Sequence, residues 1–188
     1  MGELPRLFIA IEVPDVQRNE LNSLQKRIKQ HLEGVKWVRP EGLHLTLKFL
    51  GETEADKIDS IRKVMDSSVA AASRFQVQYS GIGVFPDTKK ARVVWVGLKE
   101  GVSEVQKLAD EIENNLSMYQ FVKENRPYHP HLTLGRLRYP LPEKKIQHVL
   151  DQERNFITKT TEIEKITLYH SQLLKHGAIY SEVYNAII

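Results

Sequence analysis

Two hydrophobic periods alternate along the chain. Residues 7–13 are apolar and β-prone, a first strand that Pro14 and Asp15 close. Leu21, Leu24, Ile28 and Leu32 then recur at helical spacing until Gly34. A short strand follows over 36–38, a turn at Pro40-Glu41-Gly42, and a strand over 43–50. Thr53 with Asp56 reads as the capped start of a helix that puts Ile58, Ile61, Met65 and Val69 on one face. Residues 75–85 and 92–98 predict two strands around a polar turn at 86–90. A third helix carries Val102, Val105, Leu108, Ile112 and Leu116. After a basic loop comes a strand over 131–137. Pro142 opens a short helix with Ile146 and Leu150 inside, and two last strands fall within 160–174 and over 178–187.

Strands next to helices, with several hairpins, predict an α+β fold and not a doubly wound parallel sheet. No linker or low-complexity stretch interrupts the chain, so residues 1–188 read as one domain. The chain is long enough to bury a sizeable core without covalent staples. It has no cysteine, which excludes disulfides, thiolate nucleophiles and cysteine-based metal sites. The N-terminal apolar stretch is too short for a signal peptide, and no segment approaches the ~20 apolar residues of a membrane span. The expectation is a cytoplasmic protein. A net charge of +3 is compatible with a polyanionic partner but does not identify one. Neither G-x-G-x-x-G nor G-x-x-x-x-G-K-[ST] occurs, which argues against nucleoside triphosphate substrates.

The chemistry-bearing feature is a repeated tetrapeptide. Residues 44–47 read His-Leu-Thr-Leu and residues 131–134 read the same, separated by nearly half of the 188 residues. Side chains alternate on a strand, so His44 and Thr46 share one face while Leu45 and Leu47 point into the core. His131 and Thr133 relate to Leu132 and Leu134 in the same way. A single His-x-Thr in a strand is ordinarily surface or core packing, but two copies with matching apolar flanks point to a paired site. Two imidazoles on opposite sides of a phosphorus atom suit in-line displacement. One takes a proton from the attacking water while the other gives one to the leaving alkoxide, each role worth about 10²–10⁴ in rate. The threonine hydroxyls can donate to phosphate oxygens. No carboxylate cluster suggests a two-metal site, and no cofactor or metal is expected.

The segments His44-Leu45-Thr46-Leu47-Lys48-Phe49-Leu50-Gly51 and Pro130-His131-Leu132-Thr133-Leu134-Gly135-Arg136 resemble the paired H-x-T-x signatures of the two-histidine (2H) phosphoesterases. Within them the chain is similar to the RNA 2′,3′-cyclic phosphodiesterases, historically called 2′-5′ RNA ligases. Arg6-Leu7-Phe8-Ile9-Ala10-Ile11 and Leu168-Tyr169-His170-Ser171 support the likeness. The resemblance implies two pseudo-symmetric lobes, each an antiparallel sheet with helices outside, and a site between them. It implies metal-independent hydrolysis of a terminal RNA 2′,3′-cyclic phosphate to a 2′-phosphomonoester. His44 would be the proton donor and His131 the acceptor, with Thr46 and Thr133 gripping the phosphate.

Substrate contacts are further expected from Arg136, Lys48, Phe8 and Tyr128. Strict alternation puts Arg136 on the face away from His131, so a bulge must redirect it. Lys48 shares the His44 face by alternation, and Phe8 or Tyr128 would stack on a base. Each has a plainer reading as a solvated or packed residue. The same holds for Arg126 in the loop before the second motif and for His129, which could reach the cleft mouth. His31 and His148 read as exposed; His170 and His176 have no spacing that suggests a metal. The expected partners are RNA ends or nucleotide 2′,3′-cyclic phosphates, bound by a monomer without membrane contact. Two alternatives stay open: 2′-5′ end joining by the reverse reaction, and a nucleotide- or RNA-binding module with vestigial catalysis.

Overall fold

The structure is a computed structural model that describes residues 4–174 and 177–188; His176 lies outside them. The elements run β1 (Arg6–Glu12), α1 (Asp15–Lys29), β2 (Val35–Trp37), β3 (His44–Glu52), α2 (Ile58–Ala70), β4 (Phe75–Phe85), β5 (Val93–Glu100), α3 (Val102–Ser117), β6 (Leu132–Leu137), α4 (Glu143–Gln152), β7 (Thr161–Ile163), β8 (Lys165–Leu174) and β9 (Gly177–Ile187). The α+β expectation holds: the strands form antiparallel ladders in the order β7-β4-β5-β6-β3-β1-β8-β9, with β2 added alongside β6. Each half of that order contributes four strands, and the two motif strands, β3 and β6, meet in the middle.

The junction is registered on the repeat itself. Leu45 pairs with Leu132, the equivalent positions of the two tetrapeptides. Both leucines are fully buried on the face that the helices cover. An antiparallel pair with equivalent residues opposite each other has a local two-fold axis between them. It sets His44 beside Thr133 and Thr46 beside His131, all four on the helix-free face.

The helices cross the junction. From α1, which follows β1, the Gln25 amide donates to the carbonyls of Leu134 (2.8 Å) and Val38 (2.9 Å), and the Gln17 amide donates to Val77 O (2.8 Å). Both glutamines are buried, so α1 is fastened beneath the β4–β6 half. Conversely α3, which follows β5, packs under β3. The apolar face predicted for α1 is correct, with Leu21, Leu24 and Ile28 completely buried. Burying such residues stabilises by about 1.5–3 kcal/mol apiece, which holds each helix on its sheet.

Two local expectations change. The second helix does not begin at Thr53: its hydroxyl donates to Gly51 O (3.1 Å), and a 3-10 turn over Ala55–Lys57 leads into α2 at Ile58. In α4 the buried residues are Ile146 and Val149, with Leu150 at the margin.

Candidate active site

Both histidines are held the same way. His44 Nδ1 lies 2.7 Å from Gly42 O, and His131 Nδ1 lies 2.7 Å from His129 O, in each case the carbonyl two residues back. A carbonyl only accepts, so each neutral imidazole carries its proton on Nδ1 and leaves Nε2 free. Aromatic rings fix the remaining freedom. The His44 ring sits 4.7 Å from Phe8 and 5.0 Å, edge to face, from Tyr180. The His131 ring sits 4.9 Å, edge to face, from Phe85, and the rings of Trp95 and His129 lie just beyond.

Glycine makes room for the second box. A Cβ at Gly83 would stand 2.2 Å from the Trp95 ring, so the indole lies directly across that residue beside Thr133, its neighbour in the ladder. The box residues come from β1, β4, β5, β8 and β9 and share no spacing with the motifs. Sequence reading therefore missed Phe85, Trp95, Tyr169 and Tyr180.

Burial among these rings disfavours the charged imidazole. The His44 pKa is lowered from 6.5 to about 4, the bond to Gly42 O opposing the shift. His131 is lowered as well, by burial and by the nearby His129 and Arg136, again against its carbonyl bond. Both are neutral near pH 7 in the free protein. A dianionic or monoanionic phosphate between them would favour the imidazolium and restore the proton.

The alternation breaks at the same place in both motifs. In β3, Ile9 pairs with Lys48 and Ala10 with Thr46, so Leu47 is an extra, bulged residue. In β6, Val94 pairs with Gly135 and Trp95 with Thr133, which makes Leu134 the extra residue. After each bulge the inward and outward positions exchange. Arg136 is thereby turned to the histidine face, where it is exposed, as its proposed role requires.

The same bulge takes Lys48 away. Lys48 is 4% exposed; its ammonium sits 2.8 Å from Glu113 of α3 and donates to Val122 O (2.8 Å). It ties the loop before the second motif to β3 and is not placed to meet a substrate. Its position on the open face is taken by Phe49, 60% exposed, a residue the alternation rule had put inside. At the equivalent of Lys48, Gly135 has no side chain because β2 runs against it: a Cβ would lie 2.7 Å from Val35 Cγ1.

Phe8 is 3% exposed and has its ring engaged by His44, Tyr169 and Tyr180, so it supports the imidazole and offers no face to a base. Tyr128 donates its hydroxyl to Thr46 O (2.7 Å) and packs against the core, fixing the first motif's backbone. His129 is exposed beside the second motif, its ring 5.3 Å from Trp95 and 6.1 Å from His131. Arg126 stays in an exposed loop. His148 is exposed; His31 is half-buried with its ring 5.8 Å from that of His148. Among the described residues, no three His, Asp or Glu side chains are grouped to hold a metal ion.

The family model of LigT-like phosphoesterases matches the chain twice, over residues 11–95 and 96–180. The RNA 2′,3′-cyclic phosphodiesterase of Methanocaldococcus jannaschii is 33% identical over 95% of this chain and 98% of its own. A Thermus thermophilus protein superposes with a TM-score of 0.81 at 24% identity, covering 97% of both chains. Escherichia coli LigT in complex with 3′-AMP does so with 0.76 at 23% identity, covering 99% of each.

Proposed function

Because the chain belongs to the LigT-like phosphoesterases, we propose that it hydrolyses the terminal 2′,3′-cyclic phosphate of RNA to a 2′-phosphomonoester, with His44 and His131 as its acid–base pair. The observation that carries this reading is the matched presentation of two Nδ1-anchored imidazoles, with a threonine hydroxyl beside each, across the Leu45–Leu132 junction. Adjacent strands are about 4.8 Å apart and alternate residues about 6–7 Å, so the four side chains bracket a space of phosphate size.

His131 Nε2 accepts a proton from water as the water oxygen bonds to phosphorus. The bond from phosphorus to the ribose 3′ oxygen breaks, and protonated His44 gives its Nε2 proton to that oxygen. Thr46 and Thr133 donate to the non-bridging oxygens, and Arg136 adds a fixed positive charge on the same face. The 3′-AMP complex of E. coli LigT and the name of the Methanocaldococcus relative support a nucleotide-end substrate. Phe49, exposed at the equivalent of Arg136, supplies the base-stacking surface once assigned to Phe8. The whole chain works as one bilobal domain, its halves interlocked by α1 and α3. No helix among the described residues is long and apolar enough to cross a membrane; a cytoplasmic monomer acting on RNA ends is the setting this reading takes.

The test is hydrolysis of an oligoribonucleotide ending in a 2′,3′-cyclic phosphate, in chelator, with the product assigned by ³¹P NMR. A 2′-phosphate is expected, and His44→Ala and His131→Ala should each abolish its formation while keeping the folded spectrum. A 3′-phosphate product, or near wild-type turnover by either variant, would refute the assignment of roles.

A further inference from the structure

Lys36 and Arg136 are paired residues of β2 and β6, and cross-strand partners project to the same side of a sheet. That side is the open one. Val35 and Trp37, flanking Lys36, turn the other way against Gly135, and α1 covers that rear face through Gln25. Lys36 and Arg136 are both exposed. Neither has a carboxylate within ion-pair distance among the described residues, so both charges are open to an anion. Two like charges directly opposite on neighbouring strands repel and cost stability, so the pair is favourable only when an anion lies over it.

On the neighbouring strand β1 the charges are already matched. Glu12 is the ladder partner of His44, and the cations there are already engaged: Arg18 with Glu12 (3.2 Å) and Asp15 (2.6 Å), Lys165 with Glu12 (3.2 Å). A polyanion centred between the histidines therefore finds matched charges beside His44 on β1 and two unmatched cations at Lys36 and Arg136. Arg136 lies beyond the Leu134 bulge from Thr133, roughly two strand residues or 7 Å along β6. That is close to one backbone repeat of an RNA strand.

We propose that Lys36 and Arg136 bind the next phosphodiester of the RNA, the one 5′ to the terminal nucleoside, and so set the direction in which the strand leaves the site. This rests on the cyclic phosphodiesterase reading and adds to it a reason for preferring oligomers. A nucleoside 2′,3′-cyclic phosphate has no second phosphate to offer; an oligoribonucleotide does.

The experiment compares kcat/KM for 2′,3′-cyclic AMP with that for a five-residue oligoribonucleotide ending in adenosine 2′,3′-cyclic phosphate, in wild type, Lys36→Gln, Lys36→Glu and Lys36→Arg. The oligomer-to-mononucleotide ratio should fall five- to tenfold in Lys36→Gln, further in Lys36→Glu, and recover in Lys36→Arg. The change should appear in KM, and the slope of log affinity against log salt for the oligomer should drop by about 0.7, the value of one phosphate contact on a single strand. An unchanged ratio in Lys36→Glu, or a loss that Lys36→Arg does not restore, would overturn the proposal. Absence of wild-type turnover on both substrates would instead refute the cyclic phosphodiesterase reading. In that event, fluorescence anisotropy with a labelled 2′-phosphorylated pentamer decides the second-phosphate site: Lys36→Gln must weaken binding at least fivefold or the site is wrong.

Discussion

Phe49 and Arg136 occupy the same position in two copies of one motif, five residues after His44 and His131, and the bulges at Leu47 and Leu134 turn both onto the open face. The repeat thus supplies a two-fold arrangement of imidazoles and hydroxyls, and the positions after the bulges break its symmetry. One end is aromatic and the other cationic. A substrate with a base on one side and a charged backbone on the other has only one good orientation in such a site. Under the proposed function, that orientation is what would distinguish acid from base in two chemically similar histidines.

The pH dependence follows from the aromatic boxes. Both imidazoles titrate below 6.5 in the free protein, His44 at about 4. The profile of kcat/KM reports free-enzyme groups, so both of its limbs should fall below 6.5, one of them near 4. Bound phosphate raises both values, so the kcat profile should be displaced to higher pH. Initial rates on the cyclic-phosphate oligomer from pH 3.5 to 8.5 test this, and an alkaline limb of kcat/KM at or above 6.5 contradicts it.

Stability should fall as pH drops from 6.5 to about 4. His44 has a depressed folded-state pKa, so in this window the unfolded chain binds more protons than the folded one. The contribution is complete above 6.5 and is lost on acidification through the window, at a slope of at most about 1.4 kcal/mol per pH unit for one proton. Urea unfolding of wild type and His44→Gln at pH 7.0, 6.0, 5.0 and 4.5 should give a shallower slope for the variant. Parallel curves would mean that His44 does not carry the linkage.

Lys48→Met should destabilise the protein by about 3 kcal/mol, because it leaves the half-buried Glu113 carboxylate with only the Glu124 amide as a partner and frees Val122 O. Adding Glu113→Leu should recover much of the loss. Equilibrium denaturation of the single and double variants checks both numbers. A Lys48→Met protein with unchanged stability and a raised KM would return Lys48 to the substrate.

Phe49→Ala and Phe8→Ala should separate binding from packing. Phe49 is exposed, and a stacked base is worth about 1–3 kcal/mol, so its truncation should raise KM on the oligomer roughly 5- to 150-fold with little change in melting temperature. Phe8 is buried beneath His44, and its loss should cost about 3–5 kcal/mol of stability. Paired kinetic and thermal measurements test the division. Equal effects of both variants on stability would remove Phe49 from the list of substrate contacts.

Gly83→Ala should disturb the second histidine from a distance. The new methyl meets the Trp95 ring, which must leave its place beside Thr133 and His131. Overpacking of this kind costs about 1–3 kcal/mol. A drop in kcat with altered tryptophan fluorescence is expected; an unchanged emission spectrum would mean the indole can stay where it is.

The sequence by itself indicated the four α-helices, every strand but the short β7, the fold class and the four residues of the repeated His-x-Thr. Hydrophobic period fixes which residues of a regular strand face inward, and a repeat shows itself in linear order. It also indicated that Arg136 needed a bulge to reach the site. What it did not hold was the location of the bulges. One inserted residue reverses every later side chain, and nothing in Leu47-Lys48-Phe49 distinguishes a regular strand from a bulged one. Lys48 and Phe49 consequently exchanged places between expectation and structure. The partners of the histidines were equally out of reach. Phe8, Phe85, Trp95, Tyr169, Tyr180 and Lys36 come from six strands brought together only when the ladder β4-β5-β6-β3-β1-β8-β9, with β2 beside β6, is assembled. Local periodicity reflects the geometry of one strand, whereas the pKa of a buried imidazole and the charge at each end of a cleft depend on neighbours far apart in the chain.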